Sequence, residues 1–547
     1  MRTKPVRASR ARLASAFLAV ALVATACGGD DSDDASGDQP DDSPGEPQRG
    51  GTIVIGVDAE TDRFDPGNGN IGFPARAVHH LVYGSLTAAT PDGTWEPYLA
   101  ESVTGNEDAT VWTVTLREGL VFHDGNPLDA EALKASMDRF RLETLAEPSF
   151  TYITAVDVVD PLTVDITLDK PFGVFPQVLA DEIGAIVSID AVEEYGEAYG
   201  DHPTGAGPYR VVEYVRDDHL TLERVEDFFM DTRGWADQII FRPIPDDAGR
   251  AAALRAGDVD VITTANPADI ASFREDGAFN LYESAFGASG VLFNVERVPD
   301  IRVREAVAMA IDKQALIDLV WNGVGEPLET PFASDSLWYT DLEYPEYDPE
   351  AASDLIAEVE DEDGPVSLSI LSPVDETNTN FKLALAEQIR AVGIEVEVVD
   401  ATDPNDYVNR YLRPADCTPT PTTACTGDYD ITTSGVFPLI DPWFEYTRRF
   451  APDSILNGTG FSSDALTEGL LTGEASTDPD ERKAAYDVVQ QELADNMVQL
   501  FVHNATAAVV TSDSIEGFGT LVGPDGESSL GNFPIALVAD ELWRNDL

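Results

Sequence analysis

Residues 366–399 alternate between strand-like and helix-like patterns, and this order restricts the fold more than any other feature of the sequence. Residues 366–371 (VSLSIL) have the alternation of a strand. Residues 381–392 have the apolar spacing of a helix that stops at Gly393, and residues 394–399 (IEVEVV) indicate a second strand. A strand, a helix and a strand in succession predict an α/β unit in the C-terminal half of the chain.

The same two patterns recur through the rest of the 547 residues, a length that suits roughly two to four domains. Further strands are predicted at residues 51–58, 112–116, 162–168, 209–215, 220–225, 238–241 and 258–262. Further helices are predicted at residues 130–140, 248–256 and 479–497, and after the capping residues Asp300 and Asp348. From Ala505 onwards the chain is expected to return to short strands. The predicted fold class is α/β.

The N-terminus has the features of an export signal followed by a lipid attachment site. Residues 1–12 are basic and residues 13–26 are almost wholly apolar, a run too short to span a bilayer but typical of a secretory signal. Residues 24–28 (ATACG) resemble a bacterial lipobox, in which the cysteine, here Cys27, is lipidated and becomes the first mature residue. The departure is Ala24, where leucine is usual. The alternative is an ordinary signal peptide with a chance cysteine.

The predicted organisation of this region is a lipoprotein signal peptide over residues 1–26 and an acidic, disordered tether over residues 27–49. The tether is rich in Asp, Gly, Ser and Pro and has no large apolar side chain to bury. Its like charges repel one another, which extends the segment.

Acidic residues dominate the charge of the chain. There are 34 Lys and Arg against 100 Asp and Glu, a formal net charge of −66. This excludes a nucleic-acid partner, because binding to a polyanion needs a basic face. Dispersed acidic charge keeps a protein soluble and monomeric but does not identify a ligand. We therefore expect a monomer.

The chain has three cysteines. If Cys27 is lipidated, Cys417 and Cys425 remain as a pair across a loop rich in Pro and Thr, and an oxidising compartment permits a disulfide there. The alternative is a metal site, which needs more ligands and would have no His nearby in sequence. Walker A, HExxH and GxSxG motifs are absent from the sequence. We therefore expect no catalytic residue, metal or cofactor.

Several short motifs occur in the order found in one family of transport receptors. They are residues 97–102 (PYLAES), 112–125 (WTVTLREGLVFHDG), 127–131 (PLDAE), 203–209 (PTGAGPY), 254–260 (LRAGDVD), 302–312 (RVREAVAMAID) and 348–352 (DPEAA). Together they resemble solute-binding protein family 5, the extracytoplasmic receptors of ABC importers for peptides, nickel and related solutes. The resemblance covers residues 51 to about 545. In the fourth motif, Gly205 and Gly207 are expected to supply positive φ angles.

The resemblance implies a two-lobed periplasmic-binding-protein-like fold of type II with an extra inserted domain. Lobe I would comprise residues 50–83, 201–286 and 509–547, the inserted domain residues 84–200, and lobe II residues 287–508. Two chain crossings would join the lobes. A solute would bind between them and be buried by closure about the hinge.

The implied function is that of a substrate-binding protein, attached by lipid to the outer side of the cell membrane, which delivers a peptide or peptide-like small solute to ABC permease subunits. Two alternatives belong to other classes. A secreted hydrolase would need a nucleophile with a base, or paired carboxylates, in a cleft; with 100 acidic residues, such pairs arise by chance. The sequence does not distinguish import from a receptor that binds the solute for signalling alone.

The resemblance and the position of the strands together select the candidate site. In peptide-binding members of the family an aspartate shortly before an Asp-Pro pair binds the α-amine of the peptide. Asp441-Pro442 matches the pair, but Pro438 or Leu439 occupies the place of that aspartate, which argues against ordinary peptide capture. The nickel branch is disfavoured because the chain has six His and none lies in this segment.

The predicted cleft residues follow one strand in each lobe. Aromatic walls with a few polar groups suit the burial of a small solute. The residues are Phe64 in lobe I and Phe437, Asp441 and Trp443 in lobe II.

Overall fold

The described part of the chain contains a ten-stranded mixed sheet, a four-stranded sheet and two strand pairs. The structure is a computed structural model. It describes residues 47–60, 64–67, 73–90, 94–143, 152–180, 184–332, 334, 336–412, 427–436, 441–451, 454, 456–518 and 539–547. The predicted signal peptide, residues 27–46 of the tether, and Cys27, Phe437, Cys417 and Cys425 lie outside these ranges.

The strands of the described residues are numbered in chain order. They are β1 (Thr52–Val57), β2 (Thr87–Ala89), β3 (Trp95–Pro97), β4 (Ala100–Gly105), β5 (Val111–Leu116), β6 (Ile153–Asp160), β7 (Thr163–Leu168), β8 (Tyr209–Val215), β9 (His219–Arg224), β10 (Gln238–Pro243), β11 (Val261–Thr264), β12 (Phe279–Phe293), β13 (Ser367–Leu371), β14 (Glu395–Val398), β15 (Ile431–Val436), β16 (Gln499–Ser512), β17 (Ile515–Glu516) and β18 (Trp543–Arg544).

The helices are numbered in the same way. They are α1 (Phe73–Val82), α2 (Ala130–Glu143), α3 (Phe175–Val178), α4 (Ile189–Tyr195), α5 (Asp247–Ala256), α6 (Pro267–Glu275), α7 (Ile301–Ala310), α8 (Lys313–Val320), α9 (Pro349–Asp363), α10 (Glu376–Ala391), α11 (Pro404–Leu412), α12 (Arg448–Phe450), α13 (Asp464–Ala475) and α14 (Pro479–Asp495). Short 3-10 helices occupy Gly196–Asp201 and Ala539–Glu541, and a π-helical turn occupies Trp443–Thr447. Among the described residues, no helix has both the length and the apolar character needed to cross a bilayer.

The α/β unit predicted at residues 366–399 is confirmed. β13 and β14 pair in parallel, and α10 connects them. β15 pairs in parallel with the other side of β13. A parallel pair needs a long crossover connection, and the helix provides it. The apolar side of α10, formed by Phe381, Leu385 and Ile389, is buried in the core beside these strands.

Two long strands, β12 and β16, lie next to each other within the ten-stranded sheet and pair antiparallel. β16 also pairs with β11, and β12 also pairs with β15. They therefore join the strands β11-β1-β10-β9-β8 to the strands β15-β13-β14. Their pairing shifts register between Ala285 and Gly287, and again between Ser289 and Gly290. The expected lobe boundaries, after residues 286 and 508, fall within these two strands and stay predictions.

The strands of residues 84–200, the expected inserted domain, form sheets of their own. β2 pairs with β3, and β4-β5-β7-β6 form an antiparallel sheet. Along β5, buried and half-buried residues alternate, so that Trp112, Val114 and Leu116 enter the core. Strands that pair within one continuous segment fit an insertion between two parts of a larger domain. The boundaries of that insertion also stay a prediction.

Acidic caps and glycines fix several predicted helix ends. The side chains of Asp300, Asp348 and Asp478 each accept a hydrogen bond from a backbone N–H in the first turn of α7, α9 and α14. Gly257 ends α5 with a left-handed φ of 77°. The sequence therefore predicts these ends because capping is local chemistry.

Some elements differ from the prediction; β11, for example, begins at Val261 and not at residue 258. α10 begins at Glu376, five residues before the predicted start, because Asp375 caps a first turn that has no apolar residue. The prediction of short strands after Ala505 is confirmed by β17 and β18, but residue 505 itself lies within β16, one strand of 14 residues that starts at Gln499. Its middle is polar and only half-buried, which breaks the apolar pattern in the sequence.

The expected role of Gly205 and Gly207 is wrong. Neither residue has a positive φ. A Cβ on Gly205 would lie 2.4 Å from the carbonyl oxygen of Val82, and one on Gly207 would lie 2.3 Å from that of Leu81. These glycines are needed for close approach to the end of α1, not for an unusual backbone angle. His123 joins the same turn, with Nε2 3.0 Å from the carbonyl oxygen of Gly207.

Candidate functional site

The candidate site lies beyond the carboxyl ends of two groups of parallel strands. β1 runs parallel to both β10 and β11, so the three strands end at one edge of the sheet. β13 runs parallel to β14 and β15, so these three also end together. In α/β sheets, ligands bind in the crevice outside the carboxyl ends of the strands. Phe64 follows β1, and Phe437, Asp441 and Trp443 follow β15.

Phe64 is buried and packs within the part of the chain assigned to lobe I. Its ring packs edge-on against that of Tyr214, with 5.2 Å between the ring centroids. Its backbone carbonyl accepts a 2.7 Å hydrogen bond from the hydroxyl of Tyr83. A cavity of about 30 Å³ borders Phe64, Tyr214 and His219. That volume holds about one water molecule, so the cavity itself is too small for a peptide-like solute.

Beside Phe64, a buried ion pair ties the segment after β1 to α2 of the expected inserted domain. Arg139 of α2 donates two hydrogen bonds to the two carboxylate oxygens of Asp65, at 2.9 and 2.5 Å. Burial opposes the charge of Arg139, but the hydrogen bonds and attraction from Asp65 keep the pKa of Arg139 above its usual value. Burial raises the pKa of the neighbouring Tyr83 and Tyr199 phenols, which keeps both neutral.

Asp441 is fully buried and neutralised by an arginine. Its Oδ1 accepts hydrogen bonds from the guanidinium of Arg482, at 2.7 Å, and from the backbone N–H of Trp443, at 2.9 Å. Burial opposes the charge of Arg482, but attraction to Asp441 raises its pKa overall. Asp441 therefore fixes the start of the π-helical turn Trp443–Thr447, a type of turn often found at functional sites.

Trp443, in that turn, is only 1% exposed. Its indole N–H donates a 3.0 Å hydrogen bond to Oε1 of Glu474. The centroid of its ring lies 5.1 Å from that of Phe172, in the expected inserted domain. The structure thus brings Asp441 and Trp443 together, whereas the aromatic neighbour of Phe64 is Tyr214. Phe437 lies outside the described residues, and the contact of all four with a solute stays a prediction.

A second buried charge pair joins the π-helical turn, which contains Glu445, to α12, which contains Arg449. Nε of Arg449 is 3.2 Å from Oε1 of Glu445. Burial raises the pKa of Glu445, whereas the attraction of Glu445 and of nearby tyrosines raises that of Arg449 against the effect of burial. Three tyrosine rings, Tyr407, Tyr411 and Tyr429, stack in succession beside this pair. Tyr429 is buried and lies two residues before β15, so this stack begins at the amino end of that strand.

Sequence reasoning did not identify the charged partners of this region. Arg139, Arg482 and Glu474 come from helices distant in sequence from Asp65, Asp441 and Trp443, so spacing gives no signal for the pairs. For Arg482 the sequence does contain a weak sign of burial. Ala485, Tyr486 and Val489 follow it by three, four and seven residues, a spacing that places all four on the buried face of α14. In the described part of the chain, His, Cys, Asp and Glu form no group of three or more that could hold a metal ion.

Residues 94–452 match the family model described as bacterial extracellular solute-binding proteins, family 5 Middle. This match covers more than half of the chain. The chain belongs to this family. The family 5 assignment confirms the resemblance carried by the short motifs, and it places the protein among the extracytoplasmic solute-binding proteins.

Curated relatives and solved structures agree with the family 5 assignment. The glutathione-binding protein GsiB of Salmonella paratyphi A is 29% identical over 359 residues, which are 63% of this chain and 69% of that protein. GsiB of Escherichia coli O157:H7 is 28% identical over 468 residues, which are 80% and 87% of the two chains. The ABC transporter substrate-binding protein CtaP of Listeria monocytogenes has a TM-score of 0.75 at 21% identity, over 91% of this chain and 100% of CtaP. This likeness confirms the predicted type II fold class.

Proposed function

We propose that this family 5 protein is the receptor of an ABC importer and captures a peptide or peptide-like small solute. The observation that carries the proposal is the family match over residues 94–452. The curated relatives support the class of solute, because they are named as binding glutathione, which is a tripeptide. Pro438 and Leu439 favour a solute that is not held by an aspartate on its α-amine.

The proposed site lies between lobe I and lobe II. Phe64 forms a wall from lobe I, and Phe437, Asp441 and Trp443 form the facing wall from lobe II. The positions of these residues beyond the carboxyl ends of the two groups of parallel strands support this arrangement.

The protein is proposed to act without chemistry on its solute. Two lobes joined by β12 and β16 close on the solute as a monomer, and the closed form delivers it to the permease subunits. The lipid on Cys27 holds the protein at the outer side of the membrane, and residues 27–49 provide the tether. A disulfide between Cys417 and Cys425 belongs to the same proposal, since it requires an oxidising compartment.

The experiment that tests this proposal is mass spectrometry of small molecules released by denaturing the purified full-length protein. We expect one small peptide or peptide-like compound, recovered unchanged and in proportion to the protein. A titration with reduced glutathione, followed by calorimetry, then tests the solute suggested by the relatives. Turnover of the recovered compound that persists after repurification would instead support a secreted hydrolase.

A pair of variants tests the position of the site. Phe437→Ala should reduce the amount of recovered compound, because it removes an aromatic wall. Phe229→Ala is the matched control, since Phe229 is a partly exposed aromatic residue that follows β9, away from the strand ends of the site. Equal recovery from both variants would remove the residue 437 segment from the site.

A further inference from the structure

A loop of the inserted domain, residues 170–174, lies against the junction of α13 and α14 in lobe II. Nζ of Lys170 donates a 2.8 Å hydrogen bond to Oε1 of Glu474. The backbone N–H of Gly173 donates another, also 2.8 Å, to the carbonyl oxygen of Glu474. Glu474 therefore accepts hydrogen bonds from the loop with both its side-chain carboxylate and its backbone carbonyl.

The approach between the two backbones is too close for any side chain at residue 173. A Cβ added to Gly173 would lie 1.9 Å from the carbonyl oxygen of Ser476 and 2.4 Å from its carbonyl carbon. Gly173 does not have a positive φ, so its own backbone would accept an alanine. The glycine is thus required by the contact between the two domains and not by the local conformation of the loop.

The same contact holds Trp443. Oε1 of Glu474 accepts hydrogen bonds from both Lys170 and the indole N–H of Trp443. Phe172, next in the loop to Gly173, is fully buried, and its ring lies 5.1 Å from that of Trp443. The inserted domain therefore fixes the orientation of a candidate solute-contacting residue from outside the proposed site.

The two sides of the inserted domain differ in how they are held. Its contact with lobe I includes the deeply buried pair of Asp65 and Arg139, with exposed side-chain fractions of 6% and 9%. Its contact with lobe II ends in Lys170, whose side chain is 36% exposed. Its partner Glu474 is buried, but because Lys170 is partly exposed, this pair costs less to separate than a pair buried on both sides.

We propose that the loop of residues 170–174 docks reversibly on the α13–α14 junction as the lobes close, and that Glu474 is the positioning residue that links this docking to Trp443. The proposal rests on the proposed function, because closure serves to enclose a solute. It assigns the inserted domain an active part: the domain moves with lobe I and becomes a contact surface for lobe II in the closed form.

Hydrogen–deuterium exchange of the full-length, solute-free protein tests the docking directly. The amide of Gly173 should exchange at least about tenfold faster than the amides in the middle of β7, because it opens by undocking and not by global unfolding. Gly173→Ala should raise exchange more than tenfold in residues 170–174 and 474–478. Gly277→Ala is the matched control, since Gly277 has neither a neighbour within 4 Å of an added Cβ nor a positive φ.

The charged contact is tested separately. Lys170→Met should raise exchange in the same two segments about two- to fivefold, the range for a partly exposed ion pair, and Lys170→Arg should restore protection. Lys134→Met is the matched control, because Lys134 is a similarly exposed lysine that pairs with Asp138 inside the inserted domain. An equal change in the Lys134→Met protein at residues 170–174 would overturn the assignment to Glu474.

Small-angle scattering of the same solute-free samples connects docking to closure. Gly173→Ala should have a larger radius of gyration than Gly277→Ala. Exchange of the Gly173 amide only at the rate of global unfolding, or equal radii for the two variants, would overturn the proposal. These readouts need no solute, so failure to recover a solute would contradict the proposed function without changing them.

Discussion

Asp65 and Asp441 lie near the ends of β1 and β15, and an arginine from another segment neutralises each of them. Both pairs are buried on both sides. Buried ion pairs contribute little net stability, but removing one partner leaves an uncompensated charge in a medium of low dielectric constant. Arg139 and Arg482 therefore hold the surroundings of the proposed site in one arrangement, more than they stabilise the fold.

Replacing Arg139 with methionine tests this reasoning. We expect Arg139→Met to lower the free energy of unfolding by about 3–5 kcal/mol, because Asp65 stays buried without its partner. Arg210→Met, which breaks an exposed pair with Glu223, should cost less than about 1 kcal/mol. Urea unfolding followed by circular dichroism at pH 7 measures both values. Similar losses in the two variants would contradict the distinction between buried and exposed pairs.

A pH effect is expected from His503 in β16. Burial lowers the pKa of His503 from 6.5 to about 3. Between pH 3 and pH 6.5 the unfolded state therefore binds more protons at this residue than the folded state does. The contribution of neutral His503 to the free energy of unfolding is full above about pH 6.5 and is lost as the pH is lowered. At pH 5 this one histidine should reduce the free energy of unfolding by about 2 kcal/mol.

His503→Phe isolates that contribution. The variant keeps a ring against Trp321, whose centroid is 3.8 Å from that of His503, but has no proton to bind. Any cost of its larger volume applies equally at both pH values. The loss of stability between pH 7.5 and pH 5, measured by urea unfolding, should be about 2 kcal/mol smaller than in the natural protein. An identical loss would show that His503 does not titrate in this range.

At the residue scale, the sequence predicts where a candidate site residue lies along the fold better than it predicts which side chains that residue contacts. The Asp-Pro motif and the preceding strand are local, so Asp441 and Trp443 could be placed after β15. Arg482 and Glu474 are brought to them only by tertiary packing. The role of Gly205 was also mistaken, because close approach to α1 is a property of the folded chain and not of its own segment.

At the scale of helices and strands, capping chemistry decides what the sequence can predict. α7, α9 and α14 have an Asp cap directly before an apolar pattern, and their starts were predicted. α10 has the same kind of cap at Asp375, but its first turn is polar and the apolar pattern starts later. β16 was missed as one strand for a related reason: its polar middle lies where it pairs beside the register shifts of β12.

The start of α10 gives the prediction at this scale. The side chain of Asp375 accepts a 2.8 Å hydrogen bond from the backbone N–H of Asn378. Asp375→Ala should lower the free energy of unfolding by about 1 kcal/mol, the usual cost of losing such a cap, and Asp375→Asn should keep most of it. Asp354→Ala, in the exposed middle of α9, is the control and should change stability by less than about 0.5 kcal/mol. Equal effects of Asp375→Ala and Asp354→Ala would mean that the cap does not stabilise α10.

At the scale of the whole molecule, the N-terminus is predicted to determine where the protein is held. Cys27→Ser removes the thiol that would carry the lipid while leaving the apolar export signal intact. We expect this variant in the soluble fraction outside the cytoplasm, because the signal can be cleaved but no acyl chain remains. Fractionation followed by immunoblotting, with the natural sequence alongside, measures the distribution. A variant that remains in the membrane fraction would refute the lipobox interpretation.

The last prediction concerns the two strands that join the lobes. β12 and β16 pair antiparallel, and the register shifts near Gly287 and Gly290 interrupt regular pairing where the sheet passes from one group of strands to the other. Such an interruption lets a few residues absorb a rotation while both lobes stay rigid. A solute favours the closed form only if it gains contacts there that it lacks in the open form. Changing the ratio of closed to open molecules from 1:99 to 99:1 requires the solute to bind the closed form more tightly than the open form by about 5.5 kcal/mol. Adding the compound recovered from the protein should therefore reduce the radius of gyration in small-angle scattering, and an unchanged profile at saturation would contradict closure between the lobes.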